Sequence, residues 1–144
     1  MSQIKKIITI NASPETIMEY VSDVNNHPAF IPPLKSISNI DERVSTVGTT
    51  WDWTFVMAGI EFVGKSEAIK YEAGKVLSYK TTGGIVSTFT YSVEAGEDGT
   101  QLTMEVVYET PESLVGKANL AAIEKINSES AEAAEENIKA ILEN

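Results

Sequence analysis

Apolar and polar positions divide the chain into an alternating middle and two flanks of helical period. Runs at 4–10, 35–43, 49–57, 60–71, 76–82, 85–94 and 101–109 predict strands. Alternation is clearest in Trp51, Trp53, Phe55, Met57, then Phe89, Tyr91, Val93, then Leu102, Met104, Val106, Tyr108. Asp52, Thr54, Thr90, Ser92, Thr103 and Glu105 alternate with them and are expected to face water. In 60–71 the phase changes: Ile60, Phe62, Gly64, Ser66 and Ala68 share one face and Ile69 and Tyr71 the other, which predicts a bulge near Ala68. The connectors Val47-Gly48, Ala58-Gly59, Ala73-Gly74, Gly83-Gly84 and Glu97-Asp98-Gly99 are short and carry glycine, so neighbouring strands should form an antiparallel meander.

Helical signals lie on either side. Ser13 caps and Pro14 opens a short helix with Ile17, Tyr20, Val21 and Val24 on one face. The stretch from Asn25 to Pro28 breaks it and starts a second short helix holding Phe30 and Ile31, which Pro32-Pro33 ends. Residues 110–144 read as one long amphipathic helix, with Thr110 as cap and Pro111 in first position. At 100° per residue, Val115, Asn119, Ala122, Ile126, Ser130, Ala133 and Asn137 form its inner line, flanked by Ile123 and Ile141. Glu124, Lys125, Glu132, Glu135, Glu136 and Lys139 lie opposite, and Glu129 belongs to the same solvated charge run. A sheet with one apolar face must be covered on that face, and this helix is the element long enough to do it. Its inner line is small and amide-bearing. A helix that covers a sheet without filling the space between predicts a cavity.

On these phases Trp53, Phe55, Phe62, Phe89, Tyr91, Met104 and Tyr108 should line that cavity, facing Asn119, Ala122, Ile123 and Ile126. Phe30, Ile31 and Leu34 should close one end. A buried Asn119 without a partner would cost on the order of 1–3 kcal/mol, so a ligand, a water or a tyrosine hydroxyl is expected beside it.

Composition narrows the chemistry. The 144 residues suit one α+β domain over 1–144, and the formal charge of −10 disfavours nucleic acid and anionic membrane surfaces. With 0 Cys and 1 His, a thiolate nucleophile, a disulfide and a cysteine or multi-histidine metal site are excluded, and no metal or cofactor is expected. His27 sits in a turn between Asn26 and Pro28 and reads as structural; a serine nucleophile would lack an acid partner for this base. Glu61, Glu67, Glu94, Glu105 and Glu109 fall mostly on the solvent face, and Gly83-Gly84 links strands and so is a hairpin, not a phosphate loop. The N-terminal stretch lacks a signal-peptide apolar core and no run is long enough to span a membrane, so a cytoplasmic protein without stable membrane insertion, a monomer or weak homodimer, is expected.

The stretch Ile10-Asn11-Ala12-Ser13-Pro14-Glu15-Thr16-Ile17-Met18-Glu19-Tyr20-Val21-Ser22-Asp23, followed by Asn26-His27-Pro28-Ala29-Phe30-Ile31-Pro32, resembles the opening of the START-like, or SRPBCC, superfamily. It is most similar to the polyketide cyclase/dehydrase and lipid-transport branch, whose turn-strand junctions Gly48-Thr49-Thr50-Trp51 and Gly99-Thr100-Gln101-Leu102-Thr103 resemble. The resemblance spans essentially the whole chain and implies the helix-grip fold, with a deep apolar pocket between a curved meander and the C-terminal helix. The superfamily includes plant ligand binders, quinone-binding proteins, aromatic polyketide cyclases and chaperone activators, so fold leaves function open. The leading expectation is a non-catalytic binder or carrier of a hydrophobic small molecule (lipid, isoprenoid, quinone or aromatic metabolite), with Tyr91, Tyr108 and Asn119 orienting its polar end. The alternatives are a cyclase/dehydratase-like enzyme acting on an aromatic or polyketide substrate, and an interaction module that docks an acidic surface onto a basic partner.

Overall fold

The alternating runs pair into one antiparallel sheet of seven strands in a computed structural model that describes residues 1–41, 47–115 and 119–143. The strands are β1 (Ser2–Ile10), β2 (Leu34–Ser38), β3 (Thr50–Met57), β4 (Ile60–Glu72), β5 (Val76–Gly83), β6 (Ser87–Gly96) and β7 (Gly99–Tyr108). Their spatial order is β1-β7-β6-β5-β4-β3-β2, a meander from β2 to β7 with the N-terminal strand added at the β7 edge. The register between β4 and β5 slips between Ala68 and Lys70, the bulge that the phase change in the sequence demands. The expected strand at 35–43 is shorter: β2 stops at Ser38, and Glu42 and Arg43 lie outside the described residues.

Helix α1 (Pro14–Ser22) starts as expected, with Ser13 Oγ accepting from the Thr16 N–H at 3.1 Å. It buries Ile17, Met18 and Val21 against β5 and β6. A short 3-10 turn (Val24–Asn26) and α2 (His27–Phe30) follow. The long C-terminal helix α3 runs Leu120–Glu143, not from Thr110. Pro111 to Leu114 form a turn instead, with the Leu114 N–H on the Pro111 carbonyl at 2.9 Å and the Leu114 side chain buried. Asn119 opens the helix: its Oδ1 accepts from the Ala121 N–H at 2.8 Å and its carbonyl from the Ile123 N–H at 3.1 Å. Gly116, which falls inside the expected 110–144 helix, lies outside the described residues.

The buried line of α3 is displaced by one residue from the expected one. Ile123, Asn127, Ala131, Ala134 and Ile138 form its inward line; of the expected line Ala122 and Ile126 are exposed, while Ser130, Ala133 and Asn137 sit half-buried at its edge. One residue is roughly 100° of rotation, which turns Ala122 and Ile126 out to solvent, and Val115, exposed too, precedes the helix. The cause is local. Leucine and isoleucine at 120, 126 and 141 are exposed, and packing followed the small residues that let the helix approach the sheet. The same rotation carries Glu135, expected on the outer face, to a buried position at 3% exposure.

Both ends of α3 are fastened to β1. Near its start the Ser2 hydroxyl donates to Glu124 at 3.0 Å. Near its end Lys139 Nζ donates to the Thr9 carbonyl at 2.8 Å, and the Asn11 N–H donates to Glu143 at 2.8 Å. Asn137 also donates to the Phe30 carbonyl at 3.2 Å, joining α3 to α2.

The turn between β3 and β4 offers a simple stability test. Ala58 and Gly59 both have positive φ, 51° and 78°, as a two-residue type I′ hairpin requires. A left-handed alanine costs roughly 1–2 kcal/mol, and asparagine tolerates that region better. Ala58→Asn should therefore raise stability by about 0.5–1 kcal/mol, read as a higher denaturant midpoint at unchanged slope.

Candidate functional site

The inward faces of the strands and the small line of α3 leave a cavity of about 90 Å³. That is several times the roughly 10–15 Å³ a single water needs. Strand alternation supplies Trp51, Trp53, Phe55 and Met57 from β3, Tyr79 from β5, Phe89 from β6 and Met104, Val106 and Tyr108 from β7. The roof is Asn127, Ser130, Ala131 and Ala134, and Ile31, Pro33 and Leu34 close the α2 end. The thin inner line is therefore present, carried by Ser130 of the expected line and by Asn127, Ala131 and Ala134 one step along the helix.

Of the residues expected to line the cavity, Ile31, Leu34, Trp53, Phe55, Phe89, Met104 and Tyr108 do so. Phe30, Phe62, Tyr91 and Ile123 are buried in the surrounding core but are not in the cavity wall. Asn119, Ala122 and Ile126 are at the surface, Ile126 at 46% exposure, because α3 starts later and is rotated. The amide in the cavity is that of Asn127, whose Nδ2 contacts Met57 Sδ at 3.6 Å.

A line of hydroxyls crosses the floor, in which only Tyr108 is among the expected lining residues. Successive register partners are Trp51 and Ser66, Ser66 and Thr81, Thr81 and Ser87, Ser87 and Tyr108, and Tyr108 and Ser2. Ser66, Thr81, Ser87 and Tyr108 all line the cavity. Thr81 donates its proton to the Ile85 carbonyl at 2.9 Å, so at 2.5 Å Ser87 Oγ is the donor to Thr81. The clue was available: each of these hydroxyls occupies the apolar phase of its strand, a polar residue where alternation calls for an apolar one.

His27 also lines the cavity and is buried at 1% exposure, stacked on Tyr79 with ring centroids 5.6 Å apart and edge-on to Trp51 and Phe30. Its Nε2 lies 2.8 Å from the Val21 carbonyl, so that nitrogen carries the proton. Burial lowers its pKa to about 4, against the opposing influence of that hydrogen bond and of Asp23, so the ring is neutral at pH 7. The expected structural role fits this packing, but the position is in the cavity wall as well as in a turn. Burial pushes the hydroxyl pKa of Tyr79 and Tyr91 upward, and both stay protonated.

Two donors on the cavity wall, Trp53 Nε1 and the Tyr108 hydroxyl, are buried and have no hydrogen-bond partner among the described residues. Each such group costs on the order of 1–3 kcal/mol unless something accepts from it. No carboxylate lines the cavity among the described residues, and no group of three or more His, Asp or Glu there could hold a metal ion. No described helix is long and apolar enough to cross a membrane.

The family model described as polyketide cyclase / dehydrase and lipid transport matches residues 1–143. No curated protein matches the sequence. Among solved structures, TTHA0849 from Thermus thermophilus superposes with a TM-score of 0.82 at 15% identity, over 96% of this chain and 95% of that one. The Zhui aromatase/cyclase from Streptomyces sp. R1128 gives 0.72 at 14% identity, over 99% and 93% of the two chains. Ginseng major latex-like protein 151 from Panax ginseng gives 0.70 at 14% identity, over 96% and 95%. At these identities the likeness is one of fold: a curled antiparallel sheet gripping a long C-terminal helix.

Proposed function

Because the chain belongs to the polyketide cyclase/dehydrase and lipid transport family, we propose that it binds a hydrophobic small molecule between the sheet and α3. One observation carries the reading: an apolar cavity whose wall holds two buried, unpartnered donors, Trp53 Nε1 and the Tyr108 hydroxyl. Burial of the ligand's apolar surface supplies affinity at about 25 cal/mol per Å². The two donors, with the acceptor lone pairs of Ser87, orient its polar atoms. The cavity is smaller than the roughly 300 Å³ at which ligand pockets begin, so a fitting ligand is slender or extends out of the mouth. The lipid, isoprenoid, quinone and aromatic classes remain the candidates, bound by a cytoplasmic protein of one domain.

Trp51 and Trp53 both border the cavity and report on it. Titration with such compounds should change tryptophan emission, and native mass spectrometry of freshly purified protein should show a bound mass. Ala131→Leu, which puts a larger side chain into the roof, should weaken binding at least tenfold, or about 1.4 kcal/mol. Circular dichroism should remain that of the unaltered fold. Binding no tighter than millimolar across the panel, or an Ala131→Leu variant that binds as before, would count against the cavity as the site.

A second reading is a cyclase-like enzyme, favoured by His27, a neutral imidazole in the wall beside the Tyr79 ring. Its low pKa makes it a weak base, and Glu135, the one buried acid among the described residues, is not in the cavity wall. Binding without turnover is therefore the better-supported reading. Product formation from a polyketide analogue that is lost in His27→Phe would reverse the order.

A further inference from the structure

A polar cleft between β1 and the first turns of α3 adjoins the cavity and shares Ile4 and Tyr108 with it. Lys5, Lys6 and Lys125 line this cleft. They are three of the 11 basic residues in a chain of net charge −10, placed at one mouth. Four lysines elsewhere are answered, Lys35 by Glu61, Lys65 by Asp52, Lys80 by Glu67 and Lys139 by Glu143, all within 4.0 Å, whereas Lys70 and Lys75 stand apart on the surface of β4 and the β4–β5 turn. Lys5, Lys6 and Lys125 have no such carboxylate among the described residues. The cleft's own acid, Glu124, accepts from the Ser2 hydroxyl at 3.0 Å. Glu135, which faces Lys6 from α3, is mostly protonated at pH 7 and leaves that charge largely uncompensated.

The Tyr108 hydroxyl marks the join. Tyr108 is buried at 3% exposure, ends the hydroxyl line between Ser87 and Ser2, and has no hydrogen-bond partner among the described residues. A tail in the cavity would put the head group beside a free phenolic donor, with ammonium groups just beyond. A neutral head would use the donor alone. A cationic head would meet the like charges of Lys6 and Lys125, while Lys5 projects from the other face of β1.

We propose that the ligand is an anionic amphiphile, its apolar tail under Ala131 and Ala134 and its carboxylate or similar oxyanion at Tyr108, Lys6 and Lys125. This deepens the cavity reading above and rests on it. It also accounts for the small cavity, since only the tail needs to be enclosed.

The test compares octanoate, octanol and octylammonium by tryptophan emission and calorimetry at low and high salt. Octanoate should bind about tenfold tighter than octanol, and octylammonium more weakly than either. The octanoate preference should shrink as salt screens the cleft, where the Debye length falls from about 10 Å at 0.1 M to about 3 Å at 1 M. Lys6→Gln with Lys125→Gln should reduce the octanoate-to-octanol ratio to near one, and Tyr108→Phe should lower it several-fold. Octanol bound as tightly as octanoate, or a preference untouched by the double substitution, overturns the head-group assignment and leaves the cavity reading standing. If neither compound binds, the cavity reading falls and takes this one with it.

Discussion

A Gly64→Ala substitution should cost the protein at least about 3 kcal/mol, from a total that for a domain of this size is about 5–15 kcal/mol. Gly64 sits in the middle of β4, with Trp53 of β3 opposite it on one side and Gly83 of β5 on the other. A methyl group there would overlap the Thr82 carbonyl and the six-membered ring of the Trp53 indole. The indole can swing, but the carbonyl is backbone and cannot move without the ladder. The absent side chain lets Trp53 lie across its neighbour and form a wall of the cavity. Gly48→Ala separates steric from conformational cost: Gly48 has φ 94° but nothing within 4 Å of an added methyl, so only backbone strain of about 1–2 kcal/mol applies. Thermal melts should rank unaltered protein above Gly48→Ala and Gly48→Ala above Gly64→Ala, the last lower than the first by roughly 6–12 °C. A Gly64→Ala variant at least as stable as Gly48→Ala would mean that β4 yields far more easily than its packing indicates.

Glu135 sets the second large effect, and its sign differs from that of most carboxylates. It is buried on α3 with Oε2 unpartnered, and burial raises its pKa from 4.5 to about 8, beyond what Lys6 lowers. The folded protein therefore holds this proton more tightly than the unfolded chain. Its contribution is fully present below pH 4.5 and is lost as pH rises through 8. The loss by pH 9 should be on the order of 2–3 kcal/mol, less than the full shift implies because water relaxes around the carboxylate near the helix surface. His27 works in the opposite direction. Its pKa is lowered from 6.5 to about 4, so its contribution is present above pH 6.5 and is lost as pH falls through 4. Glu135→Gln keeps the shape of the protonated acid and removes the charge. Its melting temperature should exceed that of the unaltered protein by several degrees at pH 9, with little difference at pH 4.5. Equal alkaline slopes in the two proteins would show that Glu135 ionises without consequence.

The strands, the meander order from β2 to β7 and even the β4 bulge were legible because period-2 alternation is a local property, and glycine-bearing turns punctuate it; the place of β1 beside β7 depends on a long-range pairing that no turn signals. The face of α3 was not. Its apolar residues are spread around the cylinder, with Leu120, Ile126 and Ile141 exposed and Ala131 and Ala134 buried, so periodicity marks two adjacent faces almost equally. Only the tertiary fit of alanines against the sheet decides between them. That one-step rotation explains why Asn119 proved to be a helix cap and Asn127 the cavity amide, and why Glu135 escaped notice among four similar acids. The Thr110 start failed for a related reason. Thr-Pro is a good local signal, but Asn119 offers a competing cap and Leu114 is drawn into the core. The hydroxyl line was readable strand by strand; its continuity depends on register between strands, which no single run contains.

The clasp of α3 onto β1 has an evolutionary consequence. From Ser2 to Thr9 the strand advances about 23 Å at 3.3 Å per residue, and from Glu124 to Lys139 the helix advances about 22 Å at 1.5 Å per residue. The two elements are matched in length between their ties, so the frame is set by those ties. Asn127, Ser130, Ala131 and Ala134 lie between them and bear no part of the clasp. Such a scaffold can exchange its lining, and with it its chemical taste, while its outline persists. Solved structures that share the outline at about 15% identity are what that separation of frame from lining permits.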